Sequence, residues 1–324
     1  MLLVGCGALS ALGRPVASPL FSKTYAPPVI VHLNGSLIPS AHASISPLDR
    51  GFLLGDGLYE GLRAFDGRVV SLARHAERLR AGLALAGIPW DVAELGPICH
   101  TLIEANHAPD CFIYLQVTRG APAPGQPPRA RVLSGKVTPT VFAYAVPAPA
   151  LSAYPPVPSK SARTVVDQRW LLGHVKSISL MGGVIGAMEA HAHGADDAVL
   201  IRSRPDGDFA AEGTSANLIA VFESPHGSDI VTPPLGHCPI LAGVTRDLLL
   251  EACAGSSLRI VERPIPAESL PRATELLLCG TLTMVTSITS LNGTPVGSGK
   301  PGPIALALLH ALCDRIRAEK RAIS

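Results

Sequence analysis

The sequence predicts an α+β protein of two domains, and three observations predict it. The 324 residues exceed what a single ordinary core requires. A Pro/Ala/Ser-rich stretch, "PAPALSAYPPVPS" at residues 147–159, divides the chain into halves of nearly equal size. On both sides of it, strand and helix patterns mix without the steady alternation that builds a doubly wound parallel sheet. The expected division is a smaller N-terminal domain at 29–146, a linker at 147–160 and a larger C-terminal domain at 161–324. Residues 1–28 read as an N-terminal extension, expected to be disordered: their short apolar run has no basic region before it, as a signal peptide would.

Each element follows from local pattern. Residues 29–39, "VIVHLNGSLIP", form a hairpin pattern with Asn34-Gly35 at its turn. Residues 53–67 place two tight glycine turns before a strand that carries Tyr59. Residues 72–88 space Leu72, Leu79, Leu83 and Ala86 for one helical face, with Gly87 as the stop. Strands are expected at 111–120 and 140–146, separated by a long proline-rich loop. The second half reads as strand 163–167, helix 179–193, strands 197–203 and 216–222, and helix 245–254. Strands 258–262, 275–279 and 284–291 and a helix at 302–319 complete it.

Composition narrows the function. The formal charge is +2, and no basic stripe accompanies it, so nucleic acid is not an expected partner. No apolar stretch reaches the roughly 18–20 residues of a membrane span. Seven cysteines, scattered and without a CxxC pair, argue against a disulfide framework and a zinc site and fit a reducing, cytoplasmic setting. His191 and His193 lie two apart on a predicted helix, where side chains diverge, so no metal is expected.

The residue that raises a question is Lys176. The chain has six lysines (23, 136, 160, 176, 300 and 320), and five of them lie near proline, glycine, serine or the C-terminus. Lys176 alone opens an apolar, glycine-studded run, "KSISLMGGVIGAMEA". It is either a snorkelling side chain or a desolvated amine with chemistry to do. Other signals are individually weak. Gly243-Val244-Thr245 opens a helix, whose free N–H groups suit an anion, although a plain threonine cap would look the same. Glu212 sits in a small-residue loop before an apolar strand, as a turn cap or as the holder of a cationic ring nitrogen. His75 and Arg78 share a helix face that is either a salt-bridged surface or a site. Tyr59 is either core or pocket wall. Arg129 and Arg131 are either a solvated loop or a carboxylate clamp. Together, an amine, a carboxylate and an arginine beside a helix N-terminus are the parts that pyridoxal phosphate requires.

At this point the chain resembles the class IV aminotransferases, the fold-type IV pyridoxal-phosphate family, from about residue 31 to 303. The resemblance rests on ordered motifs: "LDRGFLLGDGLYEGLRAFDG", "HAERL", "YLQVTRG", "HVKSISLMGGVIGAMEAHAHGADDAVL", "EGTSANL", "ILAGVTRD" and "GKPGP". It implies a homodimer with the cofactor, pyridoxal 5'-phosphate, between the two domains. It implies that Lys176 is the Schiff-base lysine and Glu212 the partner of the pyridine nitrogen. Arg78, Val244, Thr245 and Thr281 are implied as phosphate ligands. Tyr59 and Arg129, with Arg131, resemble substrate-carboxylate residues. "VVDQRWLLGHVKSISLMG" and Gln116 are most similar to D-amino acid transaminases, which implies D-amino acids such as D-alanine, with 2-oxoglutarate as acceptor. "YEGLR" and the length of the 120–129 loop are similar to branched-chain L-aminotransferases. Arg131 stands where the D-specific pattern has histidine. A branched-chain enzyme and an aminodeoxychorismate lyase are the alternative members.

Overall fold

The computed structural model describes residues 29–322, apart from 134, 136 and 226. The extension expected at 1–28 lies outside the described residues.

The first half builds a six-stranded antiparallel sheet. Its strands are β1 (Ile30–Leu33), β2 (Ser36–Pro39), β3 (Gly57–Phe65), β4 (Arg68–Val69), β5 (Cys111–Thr118) and β6 (Thr140–Pro147), in the order β2-β1-β6-β5-β3-β4. The first hairpin turns where expected, with Asn34 at φ 49° and Gly35 at φ 88°, the paired positive values of a tight twisted turn. Strand β5 alternates as a half-covered strand should: Cys111, Ile113, Leu115 and Val117 are buried, whereas Phe112, Tyr114 and Gln116 face the other way. The buried face is covered by α2 (Leu72–Ala86) and α3 (Leu95–Ala105). Helix α2 buries His75, Leu79 and Leu83 and ends at Gly87 in the left-handed region. Helix α3 was not assigned in the sequence. Its buried Leu95, Ile98, Leu102 and Ile103 repeat at helical spacing, behind a Pro97 that sits in the tolerated first turn.

The second half builds a larger sheet. The elements in chain order are β7 (Ser159–Val166), α4 (Met181–Ala192), β8 (Asp197–Arg204), β9 (Gly207–Gly213), β10 (Asn217–Ser224) and β11 (Gly227–Thr232). They continue as α5 (Val244–Ala252), β12 (Ile260–Glu262), β13 (Ile265–Pro266), β14 (Glu275–Gly280), β15 (Met284–Leu291), β16 (Thr294–Pro295) and α6 (Pro303–Ala322). Most pairs are antiparallel, but β15–β7, β7–β8 and β11–β12 are parallel. Strands β10 and β14 bury five consecutive residues each, because one sheet face packs on α5 and α6 and the other on β9, β13 and the turns beyond them. The sheet closes on itself where Glu212 on β9 pairs with Asn217 on β10.

Two features tie the sheets together. The 147–159 segment is packed: Leu151 and Tyr154 are buried in the larger core, and strand β7 begins at Ser159, earlier than its sequence pattern suggested. Phe65, at the end of β3, also enters that core. No helix among the described residues is long and apolar enough to cross a membrane.

Candidate active site

Between the two sheets lies a cleft lined from both of them, a place where small-molecule sites commonly form. Seven of the nine residues singled out from sequence line it: Tyr59, Arg78, Lys176, Glu212, Val244, Thr245 and Thr281.

Lys176 reaches the cleft because its segment joins the edge of β3. Its carbonyl accepts from the Tyr59 N–H at 3.0 Å, the Ile178 N–H donates to the Gly57 carbonyl at 3.1 Å, and Ser177 bridges Leu58. The side chain is half-buried, with Nζ 4.1 Å from the centre of the Tyr59 ring. The ammonium therefore rests on an aromatic face instead of extending into bulk water. The Tyr59 ring is cleft wall.

One side of the cleft suits an anion. Helix α5 starts at Gly243 without any side-chain cap, so the first N–H groups, those of Val244 and Thr245, are available to a ligand. Thr245 is the second helical residue and buried, which removes the threonine-cap reading. Gly243 is required by packing, since a Cβ there would lie 1.9 Å from the Asn217 side-chain oxygen.

Arg78 completes this side. Its Nη1 donates to the Ala242 carbonyl at 2.8 Å, linking α2 to the turn before α5. Its Nε and Nη2 donate to the two oxygens of Glu60 at 2.8 and 2.7 Å, and His75 Nδ1 lies 2.8 Å from the same carboxylate. The His75–Arg78 face is thus a buried cluster around Glu60, not a solvated surface. Burial alone would push Glu60 up, but hydrogen bonds from Arg78 and His75, together with their charge, hold it at about 2. Sequence reading missed Glu60. The available signal was a carboxylate at an inward position of a strand, in register with Leu58 and Leu62.

The opposite side holds Glu212, buried at the end of β9. Asn217 Nδ2 donates to it at 3.0 Å, the Leu241 N–H lies 3.3 Å away, and Arg169 pairs with its other oxygen. Burial dominates and pushes the carboxyl up to about 6, against the opposing charge and hydrogen bonds of Arg169 and the Leu241 N–H. A buried acid so poised fits a further cationic partner in the cleft. Arg169 and Asn217 were also missed, because their roles depend on the closure of the sheet.

Arg129 and Arg131 are not brought to this cleft. Both are exposed on the loop after β5, where Arg131 Nη1 donates to the Arg129 carbonyl at 3.0 Å. The loop backbone is tied down from beneath by buried Arg50, which donates to the Ala130 carbonyl and, at 3.4 Å, to that of Arg131. One chain alone therefore does not assemble the sequence-predicted clamp with Tyr59.

Comparisons with known proteins identify the family. The family model for class IV aminotransferases matches residues 57–291. The D-alanine aminotransferase of Bacillus licheniformis is 33% identical over 297 residues, covering 89% of this chain and 98% of its own. A Methanocaldococcus jannaschii protein, provisionally named a branched-chain-amino-acid aminotransferase, is 31% identical and covers 88% of this chain and 95% of its own. The solved branched-chain aminotransferase of Thermoproteus uzoniensis shares the fold, with a TM-score of 0.76 at 23% identity over 91% of this chain and 97% of that one. With its motifs in order and six of their residues around one cleft, the chain belongs to the class IV aminotransferase family, whose enzymes depend on pyridoxal 5'-phosphate.

Proposed function

We propose that this enzyme transaminates D-amino acids, with D-alanine and 2-oxoglutarate as representative substrates, and that it works as a cytoplasmic homodimer of two-domain chains. When bound, pyridoxal phosphate supplies a conjugated ring that takes up the electrons left by proton removal. Arg78, the α5 N-terminus with Val244 and Thr245, and Thr281 hold its phosphate. Glu212 holds the ring nitrogen. Lys176 Nζ would be the covalent anchor and, once the incoming substrate amine has displaced it, the base that takes the proton from the substrate Cα and passes it to the cofactor carbon it had held.

The D reading is carried by Gln116. It stands directly across from Tyr59 in the β3–β5 pairing, and its side-chain oxygen accepts from the Tyr114 hydroxyl at 2.8 Å. A neutral amide beside Tyr59 gives a substrate carboxylate no cation on this strand, so the carboxylate must be met from elsewhere. Arg129 and Arg131 are our candidates. Because they lie outside the cleft of their own chain, they would come from a second copy, and the dimer and the carboxylate site become one proposal. The outer face of α4 supports it: Met181, Val184, Ile185 and Met188 are 70, 48, 39 and 66% exposed at a spacing that forms one apolar stripe. Helix α4 begins beside Leu180 at the edge of the cleft. The branched-chain reading has its own support in the stacked Tyr59, Tyr114 and Tyr144, with ring centres 5.5 and 5.3 Å apart, an apolar wall suited to a larger side chain.

The kinetic test is kcat/KM for both enantiomers of alanine and leucine. Preference for D-alanine is expected, and a clear L preference would overturn the reading in favour of the branched-chain one. A mixing test addresses the shared site. Lys176→Ala and Arg129→Ala chains, each impaired alone, should regain D-alanine turnover when reassociated. No recovery would place Arg129 outside the carboxylate site.

On the phosphate side, Arg78→Ala should weaken cofactor binding by about 1.5–3 kcal/mol, the scale of a charge-assisted hydrogen bond. Glu60→Gln should weaken it less, since the guanidinium remains but loses its charged anchor. Titration of the cofactor-free protein, followed by the fluorescence of cleft residue Trp170, measures both. Equal losses would mean that Glu60 does more than orient Arg78.

A further inference from the structure

Glu212 does not meet the cleft as an isolated carboxylate. It ends a run of alternating charges that leads into the protein. Asp167, with its side chain fully buried, accepts Nε and Nη2 of Arg169 at 2.9 and 3.0 Å. It also accepts Nη2 of Arg202, on β8, at 2.9 Å. The same Arg202 nitrogen donates to the Arg169 carbonyl at 3.0 Å. Arg169 then gives its remaining nitrogen, Nη1, to Glu212. The Arg169 stem is pinned against the start of α4, where a Cβ on Gly182 would lie 2.9 Å from the Arg169 Cα. Only a planar fork reaches two carboxylates in this way.

We propose that Arg169 is a positioning residue, clamped by Asp167 and Arg202 so that it orients the Glu212 carboxylate toward the cleft and keeps it ionised. The proposal rests on the reading of Glu212 as the holder of the cofactor's ring nitrogen. The physical need is clear from the surroundings. The groups facing Glu212 are Arg169 and Asp167 from the segment after β7, Asn217 on β10, the Leu241 N–H and the neutral, buried Cys279 thiol on β14. Arg202 stands behind Asp167. Arg169 is the cation that touches Glu212 among the described residues, and burial works against the charged form. Without Arg169 the carboxyl would be protonated over more of the neutral range. It would then offer a proton where an acceptor for the ring N–H is required. Arg202 has a secondary task, which is to share the charge of Asp167, so that Asp167 does not draw Arg169 away from Glu212.

The test reads the ionisation of Glu212 directly, in the full-length cofactor-free chain carrying 13C-labelled glutamate, with the Glu212 signal identified by its loss in Glu212→Gln. Arg169→Met should raise the Glu212 midpoint by about one to three pH units, the range set by an adjacent opposite charge. Arg169→Lys should raise it by less, because a single ammonium cannot serve both carboxylates. In the loaded enzyme, the acid limb of the kcat profile should move in the same order. An unmoved midpoint in both variants would overturn the proposal and leave Arg169 as part of the cleft floor. If Arg169→Met does not fold, the lysine variant decides alone: a raised midpoint supports the proposal and a native one overturns it. Failure of the underlying reading looks different. Glu212→Gln would then turn over at the native rate, whatever the midpoints show.

Discussion

Replacing Lys176 with alanine should abolish transamination while the fold survives. Acid–base catalysis by one well-placed group is worth about 10²–10⁴ in rate, and this lysine would also be the covalent anchor, so the combined loss should exceed that range. The fold should persist because the structural work at this position is done by the backbone: the Lys176 carbonyl accepts from Tyr59 and the neighbouring Ser177 bridges β3. An alanine keeps both. Far-ultraviolet circular dichroism and the thermal midpoint should therefore stay near the parent values while turnover falls below detection. Borohydride reduction of the loaded enzyme followed by peptide mapping should place the pyridoxyl group on Lys176. The obvious competitor in the larger sheet, Lys160, is committed to an ion pair with Asp197 at 2.9 Å. A label on Lys160 would overturn the assignment.

Glu212→Gln should produce the second-largest loss. The glutamine is nearly isosteric and keeps contacts to Asn217 and Leu241, so cofactor should still bind. It withdraws the negative charge that would keep a bound cofactor's ring nitrogen protonated, and loss of one such preorganised electrostatic partner costs about 10²–10³ in rate. A substrate deuterated at Cα should show a larger kinetic isotope effect in the variant, because proton removal becomes slower. If Glu212→Gln instead releases cofactor at an unchanged rate of chemistry, the residue acts in binding alone.

The same substitution has a signature in stability. In the cofactor-free protein the Glu212 carboxyl is raised from 4.5 to about 6. A raised acid favours folding while it is protonated, so its contribution is complete below pH 4.5 and is lost as pH rises through about 6. The shift corresponds to about 2 kcal/mol. Urea unfolding at pH 4.5 and 7 should show that difference between the parent and Glu212→Gln, and saturating cofactor should remove it by supplying a second cation beside Arg169. An identical pH dependence in the two proteins would mean that Glu212 is not perturbed.

What the sequence determined by itself is local chemistry and periodicity. The Asn34-Gly35 turn, the α2 face ending at Gly87, the alternating β5 and the lysine on an apolar run are all set by neighbours within a few residues. So is the order of motifs that marks the family. The tertiary structure decided everything that needs residues far apart in the chain. Glu60 became an anchor for Arg78 because β3 lies under α2. Arg169 met Glu212, 43 residues later, because the larger sheet closes at Glu212 and Asn217. Thr245 is not a cap because α5 already begins at Val244, behind a Gly243 that packs against Asn217. The exposure of Arg129 and Arg131 had the same origin: Arg50, some eighty residues away, holds their loop outside the cleft. Local pattern is written in side-chain size and polarity at fixed spacing. Which charge faces which across a buried site is fixed only when burial removes water and each charged group must find its partner in the fold.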